Sequence, residues 1–178
     1  MDNIQVKDKS FSLFISAEEI DQAVSEVAAH ITQDLRGKNP LFIIVLNGAY
    51  MFAADLIRKF DFDCEISFVR LSSYAGMETT SKVREVIGLY ENLTDREVVI
   101  VEDIIDTGIS MAFFLDKIRE TNVKSVRLGT LLFKPDAFRK NYHIDYVGIK
   151  IPNEFIVGYG LDYDGLGRNY PDIYKIVE

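Results

Sequence analysis

An α/β domain with a mostly parallel central sheet flanked by helices is predicted by three features of this chain. Short apolar runs of strand length, Leu41 to Leu46 and Val98 to Val101 among them, alternate with segments whose apolar residues recur at helical spacing. The alternation extends over residues 41 to 132, the pattern of parallel strands joined through helical crossovers. Beyond Phe133 the rhythm breaks at Pro135, Pro152, Gly158, Gly160 and Pro171, so a small subdomain packed over the sheet edge is expected there.

Ser16-Ala17-Glu18-Glu19 has the form of a capping box, and Ile20, Val24, Val27, Ala28, Ile31 and Leu35 follow on one helical face. A helix of about 18 residues is predicted, stopped by Gly37 and Pro40. Leu41 to Leu46 reads as a buried strand. Asn47-Gly48-Ala49 is a turn of small residues, and Met51, Phe52, Ala54, Leu56 and Ile57 form a second helix. Further strands are predicted at Glu65 to Leu71, Val83 to Leu89, Glu97 to Val101, Ser125 to Phe133 and Tyr146 to Ile151. A helix bearing Met111, Phe114, Leu115 and Ile118 separates the third of these from the fourth.

At 178 residues the chain is expected to be a single domain, and its 48% apolar content supports a packed core. No apolar run is long enough to cross a bilayer. Met1-Asp2-Asn3-Ile4-Gln5 lacks the basic flank and apolar stretch of a secretion signal, so a cytoplasmic location is expected. Cys64 is the only cysteine, and His30 and His143 are the only histidines, which excludes an internal disulfide and a Cys/His zinc cluster. A net charge of −8 disfavours a surface that grips nucleic acid. It is compatible with a small anionic ligand, because a divalent cation and backbone donors can reverse the field within one cleft.

The chemistry concentrates between Val98 and Ser110. An apolar strand runs into Glu102, Asp103 and Asp106, then into Thr107-Gly108-Ile109-Ser110 at the start of a helix. Strand-to-helix crevices are where open α/β sheets bind ligands. The small-residue turn offers free N–H groups and two hydroxyls to a phosphate at the positive end of the helix dipole. A Walker loop would carry lysine where this chain has Ile109, so the acids point instead to ribose hydroxyls and a hard cation. A plain strand end with an ordinary cap leaves three acids and a phosphate-sized turn unexplained together.

Glu102-Asp103-Ile104-Ile105-Asp106-Thr107-Gly108 resembles the phosphoribosyl pyrophosphate motif of the type I phosphoribosyltransferases, in its hypoxanthine-guanine branch, and Ile151 to Tyr163 is a second piece of the likeness. The resemblance implies the type I phosphoribosyltransferase fold, with a core at about residues 15–133 and a hood from about 1–14 and 134–178. It implies Mg2+-dependent transfer of the 5-phosphoribosyl group from phosphoribosyl pyrophosphate to hypoxanthine or guanine, giving IMP or GMP and pyrophosphate. Glu102 and Asp103 would hold ribose hydroxyls and magnesium. Asp106, Thr107, Gly108, Ile109 and Ser110 would cradle the 5′-phosphate, with Asp106 also the general base.

The same resemblance assigns pyrophosphate to Leu46, Asn47 and Gly48, with a cis peptide between Leu46 and Asn47, and to Arg168. Relatives often carry a basic residue where this chain has Asn47, which leaves that turn a backbone role. Lys134 would donate to the 6-oxo group of the purine, Phe155 would stack on its ring, and the Ile156 and Asp162 regions would meet its edge. Asp162 would also serve a second magnesium. A lysine reader excludes adenine, whose amino group would leave two donors facing each other, a mismatch that can discriminate by about 10⁴-fold. Ser73 and Tyr74 match a lid over the reacting centre, in a segment that otherwise reads as a long hairpin loop. A homodimer or homotetramer is expected, with no nucleic-acid or membrane partner. The alternatives are transfer to xanthine or a pyrimidine, or a non-catalytic nucleotide- or RNA-binding regulator on the same fold.

Overall fold

The computed structural model of the chain describes residues 3–74 and 82–177. Its main sheet has six strands: β3 (Leu41–Leu46), β4 (Glu65–Tyr74), β5 (Lys82–Ile87), β6 (Glu97–Ile105), β7 (Ser125–Phe133) and β8 (Tyr146–Lys150). They lie in the order β5-β4-β3-β6-β7-β8. Every pairing is parallel except that of β5, which runs antiparallel to β4 at the edge. β1 (Ile4–Val6), β2 (Lys9–Ile15), β9 (Ile156–Val157) and β10 (Ile173–Ile176) form a separate antiparallel hood sheet in the order β1-β2-β10-β9.

Helix α1 (Ala17–Leu35) starts where the sequence places it. Glu19 N–H donates to Ser16 Oγ at 3.3 Å, while Ser16 N–H donates to Glu19 Oε2 at 2.8 Å. Its buried stripe includes Ile20, Val24, Val27, Ile31 and Leu35. Burying five such side chains contributes on the order of 10 kcal/mol before entropy is counted. That stripe and α2 (Tyr50–Ile57) cover the sheet face carrying Phe42, Ile44, Val99 and Val101. Alternate residues Leu41, Ile43, Val98 and Ile100 point to the opposite face, where they meet Met111, Phe114, Leu115 and Ile118 of α3 (Ile109–Arg119). Double-sided burial explains why β3 and β6 read as continuous apolar runs.

β4 runs on to Tyr74 instead of ending at Leu71, β5 spans Lys82–Ile87 instead of Val83 to Leu89, and two further differences bear on the site. The strand expected to end at Val101 continues through Glu102 and Asp103 to Ile105, because β7 supplies partners as far as Ile105 opposite Phe133. The main sheet also continues past Phe133, the expected limit of the core. β8 adds to β7 in parallel, anchored where Leu128 N–H donates to Asp145 Oδ2 at 2.8 Å and Asp145 N–H to Leu128 carbonyl at 2.9 Å. Tyr146 then ties β8 to α1 by donating to Asp34 at 2.8 Å. Among the described residues no helix is long and apolar enough to cross a membrane.

β6 is fixed at its start by a buried anion. The Glu97 carboxylate accepts from the Ser125 hydroxyl, from Arg127 at 3.0 Å and from Lys124 at 3.2 Å. The Ser125 hydroxyl first, then Arg127 and Lys124, hold its pKa down to about 2 against burial. A depressed carboxylate stabilises the fold above its unfolded pKa, 4.5, and that contribution is lost as pH falls towards 2. Glu97→Gln should therefore lower stability by about 1–3 kcal/mol at pH 7, with the gap closing between pH 4.5 and 2 in urea titrations. A pH-independent difference would contradict the ionic account.

Candidate active site

In the strand order β5-β4-β3-β6-β7-β8, the chain leaves β3 toward β4 and leaves β6 toward β7, so the loops after β3 and β6 part. A cleft of about 240 Å³ opens at that divergence. Val45 and Leu46 line it from β3 and Leu71 from β4, while Glu102 and the residues from Ile104 to Met111 line it from β6, the following loop and α3. The motif read from the sequence is thus the wall of the cleft.

β3 pairs with β6 only as far as Val101, leaving Glu102 to Ile105 held on one edge by β7. Glu102 and Asp103 consequently sit inside a strand yet at the crevice. Burial, reinforced by the negative charge of Asp103, holds Glu102 well above the ordinary carboxyl range. Burial also raises Asp103, opposed by hydrogen bonds from the Glu102 carboxyl and the Ile104 N–H, the latter at 2.8 Å, and by the nearby charge of Arg168. Two neighbouring, partly buried carboxyls at the edge of the cleft form a donor set suited to a hard divalent cation.

The turn after β3 fits against this pair. Leu46-Asn47 is a cis peptide bond, as the resemblance implies. A Cβ on Gly48 would lie 1.5 Å from Asp103 Oδ2, so only glycine lets the carboxylate rest against the turn. On its other side, Gly160 of the hood packs so tightly that a Cβ there would sit 2.1 Å from the Gly48 carbonyl oxygen.

Asp106 follows the strand, with its side chain about half exposed to the cleft. Lys134, 7% exposed at the end of β7, donates to Asp106 Oδ2 at 3.0 Å and reaches Asn153 Oδ1 at 3.5 Å. The sequence singled out both members of the Asp106–Lys134 pair but not their contact, which spans 28 positions and depends on β6 and β7 ending side by side. Thr107 and Ser110 are exposed, and Gly108 takes φ 78° at the cap of α3. Ile109 is 41% exposed beside them.

From the hood, Phe155 is 47% exposed, with Tyr163 edge-on at 5.8 Å and Phe11 tilted at 6.2 Å. The exposed part of the ring is of a kind that can serve as a stacking platform. Ile156 is buried within β9 and paired with Lys175. Arg168 donates to Asp162 Oδ1 at 2.6 Å and to the Gly160 carbonyl at 2.5 Å. Asp162 is therefore not gathered with Glu102 and Asp103: its carboxylate is taken by Arg168 and by the Gly165 N–H at 2.6 Å. Among the described residues no group of three acidic, His or Cys side chains forms a ready metal cluster. Ser73 and Tyr74 belong to the backbone ladder of β4 with β5, while residues 75–81 of the expected lid lie outside the described residues.

Sequence reading missed two residues that brace the site, one across the contact of hood and core and one within the core. Tyr159, buried at φ 45°, donates to Asp55 of α2 at 2.6 Å, and Tyr142 donates to the Gly108 carbonyl at 3.1 Å. Neither stands in a local pattern, so only the folded chain reveals the contacts.

This fold and cleft define a phosphoribosyl transferase domain, the family whose sequence model matches residues 16–164. The Streptococcus mutans hypoxanthine-guanine phosphoribosyltransferase is 42% identical over 164 residues, 92% of this chain and 91% of that protein. A crystal structure of the Bacillus anthracis hypoxanthine-guanine phosphoribosyltransferase superposes with a TM-score of 0.88 at 40% identity, covering 93% of this chain and 98% of that one. The chain belongs to the hypoxanthine-guanine phosphoribosyltransferase family. It also matches the Listeria monocytogenes bifunctional protein TilS/HprT at 39% identity over 90% of its length, spanning 25% of that longer relative.

The Gly160 contact is testable. Gly160→Ala must place a Cβ 2.1 Å from a backbone oxygen at φ 96°. A loss of more than about 2 kcal/mol in urea unfolding is expected. An unchanged midpoint would show that the hood does not press on the Asn47-Gly48 turn.

Proposed function

We propose that this protein is a purine salvage enzyme that transfers the 5-phosphoribosyl group from phosphoribosyl pyrophosphate to hypoxanthine or guanine, giving IMP or GMP and pyrophosphate. The observation that carries the reading is the Asp106–Lys134 pair at 3.0 Å, at the start of the small-residue loop that lines the cleft. Family membership supports the reaction class, since relatives of matching length are hypoxanthine-guanine phosphoribosyltransferases. A cytoplasmic location and a homodimeric or homotetrameric state belong to the same proposal.

In this reading the 5′-phosphate sits on the N–H groups and hydroxyls from Thr107 to Ser110, and Glu102 with Asp103 hold the ribose hydroxyls. Phe155 stacks on the purine. The Lys134 ammonium has three donors, so it can keep Asp106 in place while donating to the 6-oxo group. Asp106 is then aligned to take the proton from nitrogen 7 as the new bond forms at the anomeric carbon. Pyrophosphate departs against the Leu46-Asn47-Gly48 turn and Arg168, whose fork of donors suits phosphate oxygens. Magnesium held by Glu102 and Asp103 would supply Lewis-acid stabilisation of the leaving group. Asp162 would join a second ion by sharing its carboxylate with Arg168 and the Gly165 N–H.

Pyrophosphate release should require Mg2+ and proceed with hypoxanthine and guanine, not with adenine, uracil or orotate; a preference for orotate or adenine would overturn the base assignment. Asp106→Asn should lower kcat by about 10²- to 10⁴-fold while nucleotide affinity persists. Lys134→Ala should cut discrimination between hypoxanthine and adenine by roughly ten-fold or more. Retained turnover in the first variant, or retained selectivity in the second, would remove that residue from its role.

A further inference from the structure

The segment from Lys134 to Tyr142 makes a series of contacts with the backbone of the small-residue loop. Lys134 N–H donates to the Ile105 carbonyl at 3.0 Å, Arg139 N–H to the Thr107 carbonyl at 3.1 Å, and the Tyr142 hydroxyl to the Gly108 carbonyl at 3.1 Å. Phe138 fills the space behind Gly108, where a Cβ would come within 2.5 Å of its ring and 2.7 Å of the Tyr142 oxygen. The rings of Phe138 and Tyr142 meet edge-on at 5.1 Å, and Phe138 meets Phe133 at 5.4 Å. The cleft is lined by the other side of the same loop, from Ile105 to Met111.

In a planar trans peptide the carbonyl and the N–H of the next residue point in opposite directions. Carbonyls of Ile105, Thr107 and Gly108 drawn onto the 134–142 segment therefore turn the N–H groups of Asp106, Gly108 and Ile109 away from it, toward the cleft. A hydrogen bond to a carbonyl thus aims a donor that it never touches. Of the three contacts, two are main chain to main chain and follow from the chain path. Only the Tyr142 hydroxyl is a side-chain choice. The Gly108 carbonyl already accepts from Ala112 N–H at 3.0 Å within α3, so the hydroxyl occupies its second acceptor position.

We infer that Tyr142 is a positioning residue for the phosphate-bearing substrate: its hydroxyl, backed by Phe138, fixes the Gly108-Ile109 peptide so that the loop's N–H groups converge on the 5′-phosphate. The inference rests on the proposed reading of residues Thr107 to Ser110 as the phosphate cradle. It assigns Tyr142 no contact with substrate. The base platform at Phe155 belongs to the hood sheet, so a defect at Tyr142 should divide the two substrates.

Tyr142→Phe removes the hydroxyl and keeps the ring against Phe138. KM for phosphoribosyl pyrophosphate should rise roughly three- to ten-fold, the range a single hydrogen bond supports. KM for hypoxanthine should stay unchanged. Calorimetric affinity for ribose 5-phosphate should fall by a similar factor, and Phe138→Leu should give the same split through the wall behind Gly108. An unchanged KM for phosphoribosyl pyrophosphate, or a parallel rise for both substrates, would overturn the assignment. If the unsubstituted protein turned over no 6-oxopurine, the transfer reading would fall, while the ribose 5-phosphate titrations would still decide the role of Tyr142.

Discussion

The site depends on β6 outrunning β3. Pairing with β3 stops at Val101, while Glu102, Ile104 and Ile105 stay paired with β7, so one edge of that segment faces the crevice and the other is held by the ladder. Strand pairing fixes alternation and depth, which places Glu102 and Asp103 with a precision a loop would not give. Asp106 leaves the ladder one residue after Ile105, and Lys134 leaves β7 one residue after Phe133. Because Ile105 and Phe133 are register partners, the two charged side chains emerge together and meet. The buried Glu97 cluster at the other end of β6 holds the register on which this meeting relies.

A second layer of the account is the contact between hood and core. Gly48 lies between the Asp103 carboxylate and Gly160, and Tyr159 reaches across to Asp55 on the helix that follows the turn. Arg168 closes the same corner through Asp162 and the Gly160 carbonyl. The region proposed to bind pyrophosphate is thereby assembled from β3, β6 and the hood at once. The hood also carries Phe155, so one small sheet, with its own core of Val6, Phe11, Val157 and Tyr174, orients both the aromatic platform and the arginine.

Much of this was legible in the sequence, for identifiable reasons. The capping box at Ser16 and the apolar stripe behind it mark α1 because helix ends and faces are local properties. β3 and most of β6 read as strands because both of their faces are buried. Glu102 and Asp103 concealed the true end of β6, since charged residues break the apolar run even where pairing continues. β8 was found as a strand but assigned to the wrong unit, because the Pro135 to Asn141 stretch looks like a departure from the core when it is only the path back to it. Contacts such as Tyr159–Asp55, 104 positions apart, have no signature in either partner's neighbourhood.

The central claim is that one junction, at the carboxyl ends of β3 and β6, receives the phosphate, the pentose and the leaving group together. A crystal structure with GMP bound tests it most directly. The account predicts the 5′-phosphate on the N–H groups between Thr107 and Ser110, the ribose hydroxyls at Glu102 and Asp103, and the guanine lying on Phe155 with its 6-oxo oxygen at Lys134. A phosphate bound elsewhere, or a purine not in contact with Phe155 and Lys134, would contradict it.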